Sequence, residues 1–409
     1  MSTEDSTTND LARRSFLKIG LCLASASLLP GFGLYKYFVR NSKRLYSGKI
    51  IGTSASVGHL IRTQRFSAPT IVRECETVII GGGISGLSAA WWLKKGDYDK
   101  FMLLELEPEV GGNSLSGKNP ISAYPWGAHY LPLPGREAKY VHSLLQELDV
   151  IQGYDSNGLP IYNEYYLCAA PHERLFTQGR WQEGLVPQMG LSQNDHRQYG
   201  EFFSLIEKYK VAKGRDGRRA FVIPIDLSSQ DPEYRALDKI SMAEFMGSKN
   251  WNSKYLKWYV NYCCRDDYGA TYDKVSAWAG LHYFASRIGK SSNANSQEVL
   301  TWPEGNGWLV NKLKEKFAKQ IQSNALAFSV ATHGDQVAVD YLETTSQKII
   351  RILAKKVIFA APRFMAAQVV QEIRNSRPSY MGDLQYAPWM VANVSIRRAP
   401  QGKGAPLSW

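Results

Sequence analysis

The clearest chemistry in the chain lies in Gly81-Gly82-Gly83-Ile84-Ser85-Gly86, which follows the β-branched run Thr77-Val78-Ile79-Ile80. Such a run suits a buried parallel strand. After a strand, Gly81 permits a tight turn, Gly83 lets a pyrophosphate approach the backbone, and Gly86 lets the next helix lie close to the sheet. That helix, Ser85 to Lys94, is entered through Ile84 and Ser85, and it presents its first amides and positive dipole end to phosphates. A second strand, Phe101 to Leu104, ends in Glu105, 24 residues after Gly81. This is close to the roughly 20 expected for a carboxylate that accepts ribose hydroxyls. Strand, glycines, helix, strand and acid in this order predict a dinucleotide-binding unit.

The next segment is Pro108-Glu109-Val110-Gly111-Gly112-Asn113-Ser114. Here the chain resembles the flavin amine oxidase and phytoene desaturase superfamily, in which a Gly-Gly-Arg-Ser/Thr segment lies against the FAD pyrophosphate. The resemblance implies FAD as cofactor, with Gly111, Gly112, Asn113 and Ser114 at the pyrophosphate. Asn113 replaces the usual arginine and removes a positive charge there. The resemblance also puts Trp126-Gly127-Ala128-His129-Tyr130 beside the isoalloxazine ring, with Gly127 and Ala128 allowing close backbone approach and His129 a candidate for flavin or proton chemistry. It puts Val330 where the backbone contacts adenine, and it matches Trp302-Pro303-Glu304-Gly305-Asn306-Gly307 to a Pro-x-Gly segment. A lysine near the flavin N5 in many amine oxidases is replaced by Asn393. An oxidase and a dehydrogenase using another acceptor therefore both stay open, as do a non-catalytic FAD-binding accessory protein and an isoprenoid or carotenoid desaturase.

These residues need a frame. The expected fold class is α/β: an FAD-binding, doubly wound parallel sheet with a β-meander, plus an interleaved α+β substrate domain. The meander is read at Leu326 to Thr332, Gln336 to Leu342 and Ile349 to Leu353, followed by another buried strand, Val357 to Pro362. The expected organisation is a signal or anchor (1–40), a linker (41–73), the FAD-binding domain in two parts (74–149 and 298–385), the substrate domain between them (150–297), and a substrate-domain strand with the chain end (386–409). The resemblance includes a closing Gly-containing strand-to-helix segment that is not found before Trp409, so the fold is expected to be C-terminally incomplete. Within 150–297, Leu256 to Cys264 and Ser276 to Phe284 read as helical, and Tyr259, Tyr262, Tyr268, Trp278 and Tyr283 are candidates to line an apolar substrate pocket.

At 409 residues the chain exceeds the roughly 250 to 300 at which one core stops growing. Its 23 Tyr, 15 Phe and 11 Trp are enough to fill a core and still line a pocket for a small-molecule substrate. Of the net charge of +12, +7 falls in residues 1–70. The rest of the chain has no basic stripe, which argues against a nucleic-acid partner. Cys22, Cys75, Cys168, Cys263 and Cys264 form no CxxC pair. Cys168 and His172 have ligand-like spacing but no second pair, so no metal site is expected.

Near the N-terminus, Arg13-Arg14-Ser15-Phe16-Leu17-Lys18 precedes the apolar run Ile19 to Leu29. This resembles a twin-arginine export signal and implies the twin-arginine translocation machinery as a partner, with a destination in the periplasm or on the outer face of the cytoplasmic membrane. Ala24-Ser25-Ala26 has the small-x-small form of a cleavage site. The largely apolar stretch Phe16 to Val39 also leaves open an uncleaved anchor and membrane association through the N-terminus.

Overall fold

The structure is a computed structural model that describes residues 48, 50–168 and 173–398. The twin-arginine segment, His172 and the chain end Gln401 to Trp409 lie outside the described residues. The chain divides into two units, Met1–Ile51 and Gly52–Trp409, and the sheet, the helices and the candidate site all belong to the second.

Its frame begins with strand β1 (Ile71–Ile80), helix α1 (Ile84–Lys95) and strand β2 (Phe101–Leu104). Helix α2 (Lys139–Glu147) follows the short strand β3 (Tyr130–Pro132). Helices α3 (Gln193–Val211), α4 (Lys254–Tyr268) and α5 (Ala277–Ala285) form the helical region. The chain returns through β4 (Val299–Thr301), α6 (Gly307–Lys316), β5 (Ile321–Gln322), β6 (Ala325–His333), β7 (Gln336–Glu343) and β8 (Lys348–Phe359).

The main sheet has the order β5-β2-β1-β8-β7-β6. β1 runs parallel to β2 and β8, and β5 runs parallel to β2, while β6, β7 and β8 form an antiparallel meander. Alternation along the strands separates two apolar faces. Ile79, Phe101 and Leu103 pack with Leu87 and Trp91 of α1 and Val310 and Leu313 of α6. Val78, Ile80 and Leu104 pack with Val339, Tyr341, Ile350 and Ile352. Residues on alternate faces of a pleated strand must part in this way. A third core is helical, built on Phe202, Phe221, Met242, Trp251, Leu256 and Leu281. The fold class is α/β as expected, with a parallel sheet, a meander and a mixed region between the two halves of the sheet.

Three details differ from expectation. The last meander strand and the strand expected at Val357 are one continuous strand, β8. Its start pairs with β7 through Lys348 to Ala354, and Ile350 to Phe359 pairs with β1, with no Gly or Pro in Ala354-Lys355-Lys356 to break it. Part of the supposed linker is docked: Val57, Leu60, Ile61 and Phe66 cover Leu326, Leu342 and Ile349, and Phe66 stacks on Phe328 at 3.8 Å. Tyr386 to Arg398, read as a strand, forms no ladder among the described residues, and its start, Ala387 to Met390, lies against α4 at Tyr262, Asp266 and Gly269 instead.

Candidate functional site

The glycine turn is shaped by contacts that exclude side chains. Gly81 has φ +103°, and a Cβ there would press on the backbone of Ala360 and Ala361. A Cβ on Gly86 would overlap the Gly81 carbonyl oxygen. At Gly83 nothing lies within 4 Å of a Cβ position, so space remains open in front of the turn where α1 starts. Gly83 begins α1 without a side-chain cap, so the positive end of the helix dipole faces that open space.

Glu105 stands at the end of β2 and is 8% exposed. It accepts from the Gly82 N–H at 2.6 Å and from the Glu107 N–H at 2.8 Å. Burial raises its carboxyl above the usual range, and those two amides act against that rise. The acid and the glycine turn are thus brought together.

Gly111 joins the turn by donating to the Gly82 carbonyl at 2.8 Å, and it pairs in parallel with Gly83. The Asn113 carbonyl accepts from the Ala128 N–H at 3.0 Å. A Cβ on Gly127 would meet that same carbonyl at 2.7 Å. Ala128 in turn accepts from the Asn306 N–H at 3.1 Å, while Asn306 Nδ2 donates to the Tyr130 carbonyl. The sequence-selected segments 111–114, 126–130 and 302–307 therefore meet. Asn306 Oδ1 is buried there without a partner among the described residues, an acceptor that a bound group can satisfy.

Among the described residues, neither Val330 nor Asn393 bonds to the turn, to Glu105 or to the 126–130 segment. Ala325, and not Val330, joins Glu105, donating its N–H to the Glu105 carbonyl at 2.8 Å. Val330 sits five residues along β6, about 17 Å at strand rise, buried and bridged to Val370. Asn393 belongs to the exposed segment that forms no ladder.

His129 Nδ1 lies 3.1 Å from the Gly127 carbonyl, and its ring meets Tyr130 edge to face. One face of α4, with Tyr259, Tyr262, Cys263 and Asp266 at i, i+3, i+4 and i+7, carries groups in electrostatic reach of this segment. Tyr262 senses Tyr130, and Asp266 senses His129. Arg287, just after α5, hydrogen-bonds Tyr130 and stands over the Tyr283 ring at 4.3 Å. Burial pushes the Cys263 thiol up to about 12 and raises the phenols of Tyr259 and Tyr283. Tyr268 and Trp278 do not join this wall: Tyr268 donates to the Ala279 carbonyl, and Trp278 stacks on His282 within the helical core. Sequence reasoning missed Asp266 and Arg287. The helical spacing from Tyr259 to Asp266 was the available signal.

Residues 79–148 match the family model described as an NAD(P)-binding Rossmann-like domain. No curated protein matches the chain in sequence. Among solved structures it resembles a variant of putrescine oxidase at 16% identity and TM-score 0.56, covering 76% of this chain and 63% of that one. Putrescine oxidase bound to putrescine matches at 17% identity and TM-score 0.52, with 73% and 60% covered. Cyclohexylamine oxidase from Brevibacterium oxydans matches at 16% and 0.51, with 73% and 60% covered. At these identities the likeness is one of fold. The chain spans about three-fifths of the length of these structures.

Proposed function

We propose that the chain is an FAD-dependent oxidoreductase of the flavin amine oxidase superfamily, removing hydride from an amine or other small organic substrate. The observation that carries this reading is the junction of the glycine turn, Glu105 and the 111–114, 126–130 and 302–307 segments, with Tyr262 and Asp266 in electrostatic reach of Tyr130 and His129. The open space before Gly83 and the unpartnered Asn306 Oδ1 fit a dinucleotide. Glu105 would hold the ribose, the amides at the start of α1 the pyrophosphate, and the 126–130 backbone the ring system. When bound, FAD supplies the hydride acceptor. The chain's own part is to orient the substrate and exclude water, which Tyr259, Tyr262 and Tyr283 suit by their apolar bodies, and to offer an amine the negative charge of Asp266.

The test is the absorbance spectrum of the purified protein, followed by anaerobic addition of primary mono- and diamines. Bleaching of the oxidised flavin band supports the reading. Bound FAD that no substrate reduces favours a non-catalytic flavoprotein, and failure to bind added FAD overturns the cofactor assignment.

We further propose export by the twin-arginine machinery to the periplasm or the outer face of the cytoplasmic membrane, on the strength of Arg13-Arg14 and the apolar run after them. Changing both arginines to lysine should leave the protein in the cytoplasmic fraction. Unaltered export of that variant would refute this route.

A further inference from the structure

A separate concavity of about 660 Å³ opens beside α2, lined by residues outside the dinucleotide cradle. Arg136, Lys139, Arg219 and Lys290 bring four permanent positive charges to it, with His142 and one acid, Glu137. That acid is already committed, accepting from Arg219 at 3.0 Å. The same guanidinium also donates to the carbonyls of Lys210 and Phe221, so it is fixed in place as part of the wall. Among the described residues Arg136 reaches a carbonyl, that of Asn157 at 3.3 Å, and no carboxylate. Lys139 and Lys290 are exposed and have no ion-pair partner among the described residues. Four cations against one paired carboxylate leave an excess of three positive charges in a single hollow.

Two further features point the same way. Helix α2 begins at Lys139 with Ala138 as its entry residue, which offers no side-chain cap, so the positive end of its dipole lies among the lining residues. The remaining lining includes apolar Leu159 and Ile288, which suit a carbon skeleton better than a bare inorganic ion. The volume is that of a small-molecule site.

We propose that this cavity binds a small organic anion, a carboxylate or phosphate on an apolar body, with Lys139 and Lys290 as the two cations recruited by the ligand. The inference does not depend on the flavin assignment, since none of the lining residues belongs to the turn, Glu105 or the 126–130 segment.

The test is a calorimetric titration of the full chain with phenyl phosphate, with excess FAD present so that any dinucleotide site is filled. Saturable binding of one equivalent is expected, weakened about tenfold or more in the Lys139→Gln/Lys290→Gln double variant, because two cations without ion-pair partners among the described residues are lost. Both side chains are exposed, so the double variant should keep the wild-type thermal midpoint. Benzyl alcohol, similar in shape but uncharged, should not bind, and inorganic phosphate should compete only weakly. No saturable binding, equal binding by the double variant, or equal affinity for benzyl alcohol or inorganic phosphate would each overturn the proposal.

Discussion

The Gly82 backbone N–H donates to Oε2 of Glu105 at 2.6 Å, linking the turn after β1 to the acid that ends β2. A Cβ on Gly82 would come within 2.7 Å of that same oxygen. The carboxylate is thereby held at the mouth of the turn, desolvated but supplied with two amide donors. Glu105→Gln keeps the shape and loses the charge. We expect FAD affinity to fall by about 1.5 to 3 kcal/mol, roughly 10- to 150-fold, as for hydrogen bonds to charged groups. Fluorescence titration with FAD measures this, and an unchanged affinity would remove Glu105 from the site.

The same residue sets a pH dependence. Burial raises the Glu105 carboxyl, so on acidification it takes up a proton at a higher pH than an exposed glutamate does. The protonated form is the poorer acceptor for a ribose hydroxyl. FAD affinity should therefore fall as pH drops through the raised pKa and be fully present well above it, while Glu105→Gln shows no such step.

Two glycines in one turn should fail in different ways. At Gly83 a methyl group meets nothing within 4 Å, and its φ of −69° suits alanine. Gly83→Ala should fold with the wild-type thermal midpoint and lose FAD binding, because the methyl fills the space left for the pyrophosphate. At Gly86 the methyl would overlap the Gly81 carbonyl. Gly86→Ala should lose about 1 to 3 kcal/mol of stability or fail to fold, the range for overpacked sites. Thermal melts beside FAD titrations separate the two, and equal behaviour of the variants would contradict the close approach of α1 to β1.

The βαβ unit from Thr77 to Glu105 was legible because local signals agree there: β-branched strands, glycines at fixed spacing and an acid at the right distance. What lay beyond reach depends on register between distant segments. Alternation identifies β6 as a strand, but only its pairing with β7 and its bond to Glu105 decide that Ala325 stands at the acid while Val330 does not. Arg287 likewise reaches Tyr130 only through the packing of α5, and no spacing along the chain encodes that contact. The docking of Phe66 was hidden because its segment is rich in Ser, Gly, Thr and Arg and its few apolar residues follow no single period.

That docking makes a stability prediction outside the site. Phe66 is half-buried, stacked on Phe328 with planes 9° apart, at the edge of a cluster with Leu326, Leu342 and Ile349. Phe66→Ala should cost about 1 to 3 kcal/mol, below the range for fully buried phenylalanine, while FAD affinity stays at the wild-type value. Urea unfolding monitored by circular dichroism gives the number. No change in midpoint would mean that the segment does not hold the meander.

The meander contains one polar pair that should behave quite differently when broken from one side than when removed whole. Asp340 on β7 faces Arg351 on β8 directly across the ladder, and the guanidinium donates twice, from Nε at 2.7 Å and from Nη2 at 2.8 Å. Asp340 is only 7% exposed, and Arg351 is held above its ordinary value chiefly by this hydrogen bond. Arg351→Met would strand a carboxylate on the sheet face it shares with Ala338 and Leu342, both buried. Its expected cost is about 3 to 5 kcal/mol, reduced toward the lower end because the Arg351 side chain keeps about a third of its exposure. In the Asp340→Leu/Arg351→Met double variant the uncompensated charge is gone and apolar surface replaces it. Much of the loss should then be recovered, because a buried pair stabilises little against well-packed apolar residues. A double-mutant cycle from denaturant unfolding decides it. If the two single losses add in the double variant, the pair acts as independent side chains and the bidentate contact contributes nothing to holding β7 against β8.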